Sequence, residues 1–166
     1  MKRISIFLLA VLFGAGLDAE SPCPANVKPV PFRSTQKHQV VVPVSINHAR
    51  AADFLLDTGT QMTVVDQSLA AELHISTRGN ANVAGVSLQG QTKLAELATL
   101  EVGNHVSTNQ QVLVYNMSTL QQAGFAIHGL LGQDFLSQFD VFIDNAHNVL
   151  CIDDTGALRA GVKGSR

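Results

Sequence analysis

The chain has few charged residues, and this scarcity limits what it can be. Only 14% of its 166 residues are Asp, Glu, Lys or Arg, so long disordered charged tails are not expected. The formal net charge is -2, which gives no electrostatic reason to expect nucleic acid or an anionic membrane surface as a partner. The length suits one domain with its own hydrophobic core.

The sequence also lacks several common catalytic and ligand-binding motifs. It contains no Gly-Lys-Ser/Thr phosphate loop and no Gly-x-Ser-x-Gly nucleophile elbow. Its six histidines show no short spacing typical of metal ligands. No metal site and no cofactor is therefore predicted.

Long apolar runs are absent except at the N-terminus. Lys2 and Arg3 precede a short apolar run from Ile4 to Gly14, and Leu17-Asp18-Ala19 offers a cleavage site. The run is shorter than the roughly 20 residues that span a bilayer. Residues 1–19 are predicted to be a secretory signal peptide, with an uncleaved anchor as the alternative. The mature protein is then expected to be exported, either periplasmic or secreted, without a membrane span.

Cysteine is scarce, with only Cys23 and Cys151 present. In an exported protein these two can form a disulfide. Such a bond would tie the N-terminal arm to a strand near the C-terminus. The alternative is that Cys151 is a small buried apolar residue and Cys23 is free, and only the geometry distinguishes the two.

Four of the five prolines lie between residues 21 and 33, so residues 20–35 are predicted to be an extended, Pro-rich arm. Residues 36–153 then carry many short strand patterns punctuated by glycine and one or two short helices. This pattern is typical of a closed, mostly β domain. Pro43, within a β-branched run, indicates an edge strand or a bulge. Residues 154–166 are predicted to be a polar tail.

One stretch carries the chemistry. Phe54, Leu55 and Leu56 form an apolar strand that leads directly into Asp57-Thr58-Gly59. The strand delivers a carboxyl group, the next residue adds a hydroxyl, and the glycine allows a sharp turn and a close approach to another chain. Asp57 is therefore the candidate catalytic residue, in a loop that continues through Thr60.

A polar segment from Arg78 to Gly90 contains three glycines, and Val83 and Val86 are its main apolar side chains. Two half-apolar arms around Gly85 predict a hairpin that could close over a bound ligand. An ordinary surface loop is the alternative for this segment.

These features, taken in order, resemble the retropepsin-like aspartic proteases. Residues 54–60 are similar to the catalytic strand and loop of that family. Leu130, Leu131 and Gly132 are similar to its hydrophobic-hydrophobic-Gly element. The resemblance covers roughly residues 36–153 and implies a single-lobe, closed β-barrel of the acid protease fold. By the same resemblance, the flap that contacts substrate comprises the following residues: Val83, Ala84, Gly85 and Val86.

The sequence departs from the family pattern at two places. Thr60-Gln61 replaces the usual small residue and serine after the glycine. Gln133 stands where viral members have an arginine. These departures affect the expected hydrogen bonding of the loop, but they do not affect the catalytic Asp.

The resemblance implies hydrolysis of peptide bonds by two carboxyl groups that share one proton and activate a water molecule. A second Asp-Thr-Gly begins at Asp154, but only ten residues follow it, too few for a second lobe. A homodimer in which Asp57 faces its copy is therefore expected, with Thr58 hydrogen-bonded across the pair and Gly59 allowing the close approach. The partners are thus a peptide or protein substrate and a second copy of the chain.

The alternative function is a non-catalytic peptide-binding or assembly module on the same fold. Other acidic residues are expected to play structural roles. Asp66 and Asp134 each precede a helical pattern and are predicted to be helix N-caps.

Overall fold

The computed structural model describes residues 22–84 and 89–164, without the side chains of residues 82–84, 89 and 162–164. The predicted signal peptide therefore lies outside the described residues. No helix among these residues is long and apolar enough to cross a membrane. The strands are β1 (Pro29–Pro31), β2 (Arg33–Ser34), β3 (Val40–Ile46), β4 (Ala52–Leu56), β5 (Val64–Asp66), β6 (Thr77–Ala84), β7 (Gln89–Val102), β8 (His105–Tyr115), β9 (Gly129–Leu131), β10 (Asp140–Asp144) and β11 (Val149–Asp153).

The helices are short, which fits a fold dominated by strands. They are α1 (Gln67–Glu72), α2 (Ser118–Gln122), α3 (Gln133–Leu136) and α4 (Ala157–Gly164). The mostly β prediction is confirmed, although the described residues contain four short helices where one or two were expected. The predicted helices near residues 67 and 133 correspond to α1 and α3.

Six strands of the larger sheet pair in a closed ring. Their order is β3-β4-β9-β5-β8-β7, and β7 pairs back onto β3. β2 extends the sheet beside β3, and β6 extends it beside β7. The remaining strands form a separate three-stranded sheet in the order β1-β11-β10. The single-lobe closed architecture follows from this ring.

Both faces of the ring strands are apolar. On β3, Val42 and Val44 pack into the main core, whereas Val41 packs into a second cluster. Cross-strand neighbours share one face of a sheet, and the register aligns members of this second cluster across six strands. We call this alignment the apolar row: Val41, Leu55, Leu130, Val64, Leu113 and Leu94.

Pro43 lies where β3 has no neighbour on one side. Val40 and Val41 pair with β2, and Ser45 and Ile46 pair with β7. Pro43 falls in the gap between these two pairings and faces β4 on its other side. A proline has no amide hydrogen to donate, so this gap is where β3 tolerates one.

The Pro-rich arm is part of both sheets rather than a linker. β1 pairs with β11 and β2 pairs with β3. Cys23 and Cys151 form a disulfide with a Cα–Cα distance of 5.6 Å, and both cysteines are buried. The pairing and the disulfide together fix the arm to the body of the domain.

The C-terminal segment is more ordered than the polar tail that was predicted. After three residues in bends, the chain forms α4. Leu158 packs against the cluster around the disulfide, and Arg159 Nε donates to Asp140 Oδ1 at 2.7 Å. These contacts connect α4 to the three-stranded sheet.

Candidate active site

Asp57 is positioned by three neighbouring strands of the larger sheet, β4, β9 and β5. β4 runs parallel to β9, and β9 runs antiparallel to β5. The amide of Asp57 donates to the carbonyl of Leu131 at 3.0 Å, so this hydrogen bond continues the β4–β9 ladder by one residue. The structure thus brings the Asp57 motif and the hydrophobic-hydrophobic-Gly element side by side.

The turn after β4 orients the Asp57 carboxyl group. Its Oδ1 accepts a hydrogen bond from the amide of Gly59 at 2.9 Å, and its carbonyl accepts one from the amide of Thr60 at 3.3 Å. Asp57 is partly exposed, and Thr58 and Gly59 are exposed. A Cβ on residue 59 would lie 3.1 Å from Asp57 Oδ1, so the glycine leaves room for this carboxyl group.

Two of the residues that depart from the family pattern, Thr60 and Gln133, help to hold this loop. Gln133 donates through Nε2 to the carbonyl of Thr58 at 3.1 Å and through its amide to the carbonyl of Thr60 at 2.9 Å. The Thr60 hydroxyl donates to the carbonyl of Met62 at 3.2 Å. The loop is therefore secured by the Gln133 side-chain amide and the Thr60 hydroxyl.

Gly132 allows the chain after β9 to touch the chain after Asp57. A Cβ at this position would lie 2.7 Å from the carbonyl carbon of Met62 and 2.8 Å from the amide nitrogen of Thr63. Real Cβ contacts are never this short with a backbone that cannot move aside. Glycine is therefore required here for steric reasons.

Asp134 links the elements that surround the loop. Its carboxylate accepts hydrogen bonds from the amide and the hydroxyl of Thr63, both at 2.8 Å, and from Gln110 Nε2 at 2.9 Å. The Thr63 hydroxyl in turn accepts from the amide of Gly132 at 3.1 Å. The prediction that Asp134 is a helix N-cap is wrong, because Gly132 is the N-cap of α3 and Asp134 lies within its first turn.

The predicted N-cap at Asp66 is confirmed. Its carboxylate accepts from the amide and the hydroxyl of Ser68 at the start of α1. It also accepts from the amide of Met117 at 2.9 Å. Burial raises the pKa of Asp66, but the hydrogen bonds from Ser68 and Met117 outweigh burial and the net pKa is lowered. The charged form therefore joins α1 to the segment before α2.

The predicted flap is a β-hairpin in the described residues. β6 and β7 pair antiparallel, with Val83 opposite Gly90 and Ala84 opposite Gln89. Gly85 and Val86, at the predicted tip, lie outside the described residues. Contact between this hairpin and a substrate stays a prediction.

The apolar row leads towards Asp57. Alternate residues of a strand point to the same face, so Asp57 follows Leu55 on the face of the row. Met62 and Phe125 pack into the same cluster. Val41, Val64 and Leu130 are at most 2% exposed, so the row is a second packed cluster. Sequence patterns did not reveal it, because an alternating strand pattern predicts one apolar face and here residues of both faces are apolar.

Another cavity lies away from the Asp57 loop. It has a volume of about 600 Å³, and its lining comes from α1, the base of the β6–β7 hairpin and the residues that follow β8. The Asp57 loop does not contribute to this lining. The cavity is therefore separate from the candidate catalytic carboxyl group.

The second Asp-Thr-Gly lies in a hydrogen-bonded turn between β11 and α4. Asp153, just before it, accepts hydrogen bonds from the hydroxyl of Thr155 at 2.6 Å and from the amide of Leu158 at 2.9 Å. Asp154 is exposed and follows β11 in the smaller sheet.

In the part of the chain that the structure describes, no group of three or more His, Cys, Asp or Glu could hold a metal ion.

A sequence model of the aspartyl protease family matches residues 42–135, more than half of the chain. The chain belongs to this family. The match includes the Asp57 loop, the hairpin and the hydrophobic-hydrophobic-Gly element. No curated protein matches the chain significantly.

A solved structure with a TM-score above 0.5 shows the same fold. A retropepsin-like aspartic protease from Rickettsia conorii aligns with a TM-score of 0.55 and 16% identity, over 76% of this chain and 90% of that one. The retroviral protease-like domain of Ddi1 from Leishmania major aligns with a TM-score of 0.45 and 17% identity, over 69% of this chain and 92% of that one. The alignment with the Rickettsia conorii protein shows that the fold is retropepsin-like, as the resemblance implied.

Proposed function

We propose that the protein is an aspartic endopeptidase in which Asp57 from two copies of the chain forms the catalytic pair. The observation that carries the proposal is the position of the Asp57 carboxyl group. It is partly exposed directly after the end of β4, and its Oδ1 accepts a hydrogen bond from the Gly59 amide. Family membership supports protease chemistry at this position.

The mechanism follows from two carboxyl groups with one shared proton. The ionised carboxylate takes a proton from a water molecule, and the protonated carboxyl donates to the carbonyl oxygen of the peptide bond. One chain supplies one such group, so the second comes from Asp57 of a partner copy related by a two-fold axis. The exposed Thr58 and Gly59 are then placed at the dimer axis.

The disulfide between Cys23 and Cys151 supports export, because disulfides persist in oxidising compartments. We therefore propose that the protein acts outside the cytoplasm, in the periplasm or as a secreted protein.

Substitution of Asp57 tests the mechanism. On a mixed peptide library, Asp57→Asn is expected to lower the cleavage rate by about 10³-fold. The matched control is Asp154→Asn, which changes the same residue type in the other Asp-Thr-Gly and is expected to leave the rate unchanged. Equal cleavage by wild-type protein and Asp57→Asn would refute this assignment.

A peptide-binding module without catalysis is the second candidate. The exposed Thr58 and Gly59 and the partly exposed Asp57 favour it to the extent that they would contact a peptide whether or not a bond is cleaved. Binding of library peptides by the wild-type dimer, with no product at any pH between 3 and 8, would establish this function instead.

A further inference from the structure

The peptide group between Thr58 and Gly59 connects the candidate catalytic carboxyl group to α3. A peptide group is planar, and its C=O and N–H point in opposite directions. On one side, the Gly59 amide donates to Asp57 Oδ1 at 2.9 Å. On the other side, the Thr58 carbonyl accepts from Gln133 Nε2 at 3.1 Å. One rigid group, which we call the 58–59 peptide, is therefore held between the Gln133 side chain and the Asp57 carboxyl group.

Local sterics do not fix the orientation of the 58–59 peptide. Thr58 and Gly59 are exposed, and glycine has a wide range of backbone conformations, so this peptide has room to rotate. Of the groups that the structure describes, only Gln133 donates to the Thr58 carbonyl. The carbonyl and the amide of one peptide turn together. The bond from Gln133 therefore also decides whether the Gly59 N–H points at Asp57 Oδ1.

Gln133 is itself fixed by the start of α3. Its backbone amide donates to the carbonyl of Thr60 at 2.9 Å, and the amide of Asp134 donates to the carbonyl of Gln61 at 3.1 Å. Gln133 is partly buried. Its side-chain amide thus reaches Thr58 from a residue whose backbone is already bonded to the same loop.

We propose that Gln133 is a positioning residue that acts on Asp57 through the 58–59 peptide. Its side-chain amide holds the Thr58 carbonyl and so keeps the Gly59 N–H directed at Asp57 Oδ1. Hydrogen bonds in a chain polarise one another, so the bond from Gln133 also strengthens the one to the carboxylate. A carboxyl group held in one orientation is ready for proton transfer to and from water. The proposal rests on the proposed function, since it assigns a role in that reaction.

Removal of the Gln133 donor tests this role through kcat. Gln133→Met keeps the length of the side chain but has no N–H to donate. On one peptide that wild-type protein cleaves, kcat is expected to fall about tenfold at every pH, with KM changed by less than about twofold. The split between kcat and KM is expected because Gln133 orients the carboxyl group and does not bind the substrate.

Gln133→Glu provides a pH-dependent rescue. A protonated glutamate can donate to the Thr58 carbonyl, whereas an ionised glutamate can only accept. The ordinary pKa of glutamate is about 4.3, so kcat relative to wild type is expected to be within about twofold at about pH 3.5 and to fall to the level of Gln133→Met by about pH 6. A loss of kcat in Gln133→Glu without one in Gln133→Met would be an effect of charge and would overturn the positioning role.

Gln138 provides the matched control, because it is a second glutamine that supports α3. Its Nε2 donates to the carbonyl of Asp134 at 2.6 Å and to Ser107 Oγ at 3.1 Å, and neither bond involves the 58–59 peptide. Gln138→Met is expected to leave kcat unchanged, even where it lowers the free energy of unfolding as much as Gln133→Met does. Equal losses of kcat in the two methionine variants would show that Gln133 has a structural role only.

The Gly59 amide reports on the same role without cleavage. In ¹H–¹⁵N spectra its proton is expected to move downfield as Asp57 ionises, because a hydrogen bond to a carboxylate is stronger than one to a neutral carboxyl group. This pH-dependent movement is expected to be lost in Gln133→Met and kept in Gln138→Met. A movement that survives Gln133→Met would refute the positioning role.

The two readouts separate the positioning role from the proposed function. Wild-type protein that cleaves peptides, with kcat and the Gly59 signal unchanged in Gln133→Met, would refute the positioning role and leave the protease function intact. A Gly59 signal that depends on Gln133, in wild-type protein that cleaves no peptide, would support the positioning of Asp57 and refute the protease function.

Discussion

Asp134 is the residue through which the two halves of the candidate site are joined. Its carboxylate holds Thr63 by both the amide and the hydroxyl and also holds Gln110. We expect Asp134→Ala to lower the free energy of unfolding by about 2–4 kcal/mol, because several hydrogen bonds to a charged acceptor are lost together and a partly buried amide loses its partner. Chemical denaturation at neutral pH measures this change.

The control for this prediction is Asp154→Ala, at an exposed aspartate. A surface substitution of this kind is expected to change the free energy of unfolding by less than about 0.5 kcal/mol. Equal effects of the two substitutions would show that the Asp134 network contributes no more than a surface carboxylate does.

Gly132 offers a second prediction, based on steric contact. Gly132→Ala would place a Cβ within 2.8 Å of two backbone atoms, at Met62 and Thr63, so the loops must separate. We expect a loss of about 2–4 kcal/mol in the free energy of unfolding, in the range of overpacked cores and displaced backbone. Peptide cleavage should fall with it, because the displaced chain is the one that carries Asp57.

Gly161→Ala is the matched glycine control. A Cβ at Gly161 has open space around it, and this glycine lies inside α4. The substitution is expected to leave the protein as stable as before or up to about 1 kcal/mol more stable, since alanine favours a helix. If Gly132→Ala were equally harmless, the close approach of the two loops would be unnecessary.

Whether the role of a residue can be predicted from the sequence depends on whether its partners are close to it along the chain. Asp57 was predicted because its signal is local, an apolar strand followed at once by Asp-Thr-Gly. The linking role of Asp134 was not predicted, because its main partner Thr63 is 71 residues away. A carboxylate before a helical pattern is more often an N-cap, and this local interpretation was chosen. Asp66 has both roles, and only its local one was predicted.

The N-terminal arm is an element held by one covalent bond and two short strand pairings. The disulfide joins residues 128 positions apart, so it removes much chain entropy from the unfolded state. We expect its reduction, or the double substitution Cys23→Ala and Cys151→Ala, to lower the free energy of unfolding by about 3–5 kcal/mol. Guanidinium unfolding with and without reductant measures this difference.

The double variant also provides the control for this prediction. Its unfolding midpoint should not respond to reductant, whereas that of the wild-type protein should. An unchanged wild-type midpoint in reductant would mean that the disulfide adds nothing to the hydrogen bonds of β1 and β2.

Asp153 makes the start of α4 sensitive to acid. The hydroxyl of Thr155 and then the amide of Leu158 hydrogen-bond to its carboxylate and lower its pKa to about 2, from an ordinary value of 3.8. A pKa that is lower in the folded state stabilises the fold above the ordinary value, and this contribution is lost as the pH falls from about 4 towards 2. Asp153→Asn has no such titration, so its free energy of unfolding should fall less steeply over this range.

Urea unfolding at several pH values between 2 and 5 tests this expectation. Asp154→Asn, one residue further along, should keep the wild-type slope. Parallel curves for wild-type protein and Asp153→Asn would show that the Asp153 hydrogen bonds do not stabilise the folded state.

Elements built from local patterns were predicted better than those built from distant contacts. The β3–β4 and β7–β8 hairpins consist of strands joined by short turns, which is the local pattern from which a mostly β domain was predicted. β1 and β2 were not predicted, because prolines indicate an extended chain but do not reveal the strands that it joins. α4 was missed for a similar reason, since Leu158 finds its apolar partners at the distant disulfide.

The described part of the molecule contains a closed ring of strands whose apolar residues pack in two clusters. Val41, Val64 and Leu130 of the apolar row are at most 2% exposed, so the row belongs to the packed interior and stabilises the ring. Asp57, by contrast, is partly exposed after the end of β4. A single lobe with one such carboxyl group suits a site that is completed by a second copy.

Mixing two kinds of subunit tests this completion directly. If both Asp57 carboxyl groups are needed, only dimers with two wild-type chains cleave peptides. In an equal mixture of wild-type protein and Asp57→Asn, allowed to exchange subunits, random pairing leaves about a quarter of the dimers fully wild type. The expected cleavage rate is therefore about a quarter of that of wild-type protein at the same total concentration.

A mixture with Asp154→Asn should keep the full rate, and sedimentation across the same dilution range should show dimers wherever activity is present. A rate of one half would mean instead that each lobe works alone, because activity would then follow the number of wild-type chains and not the number of wild-type pairs.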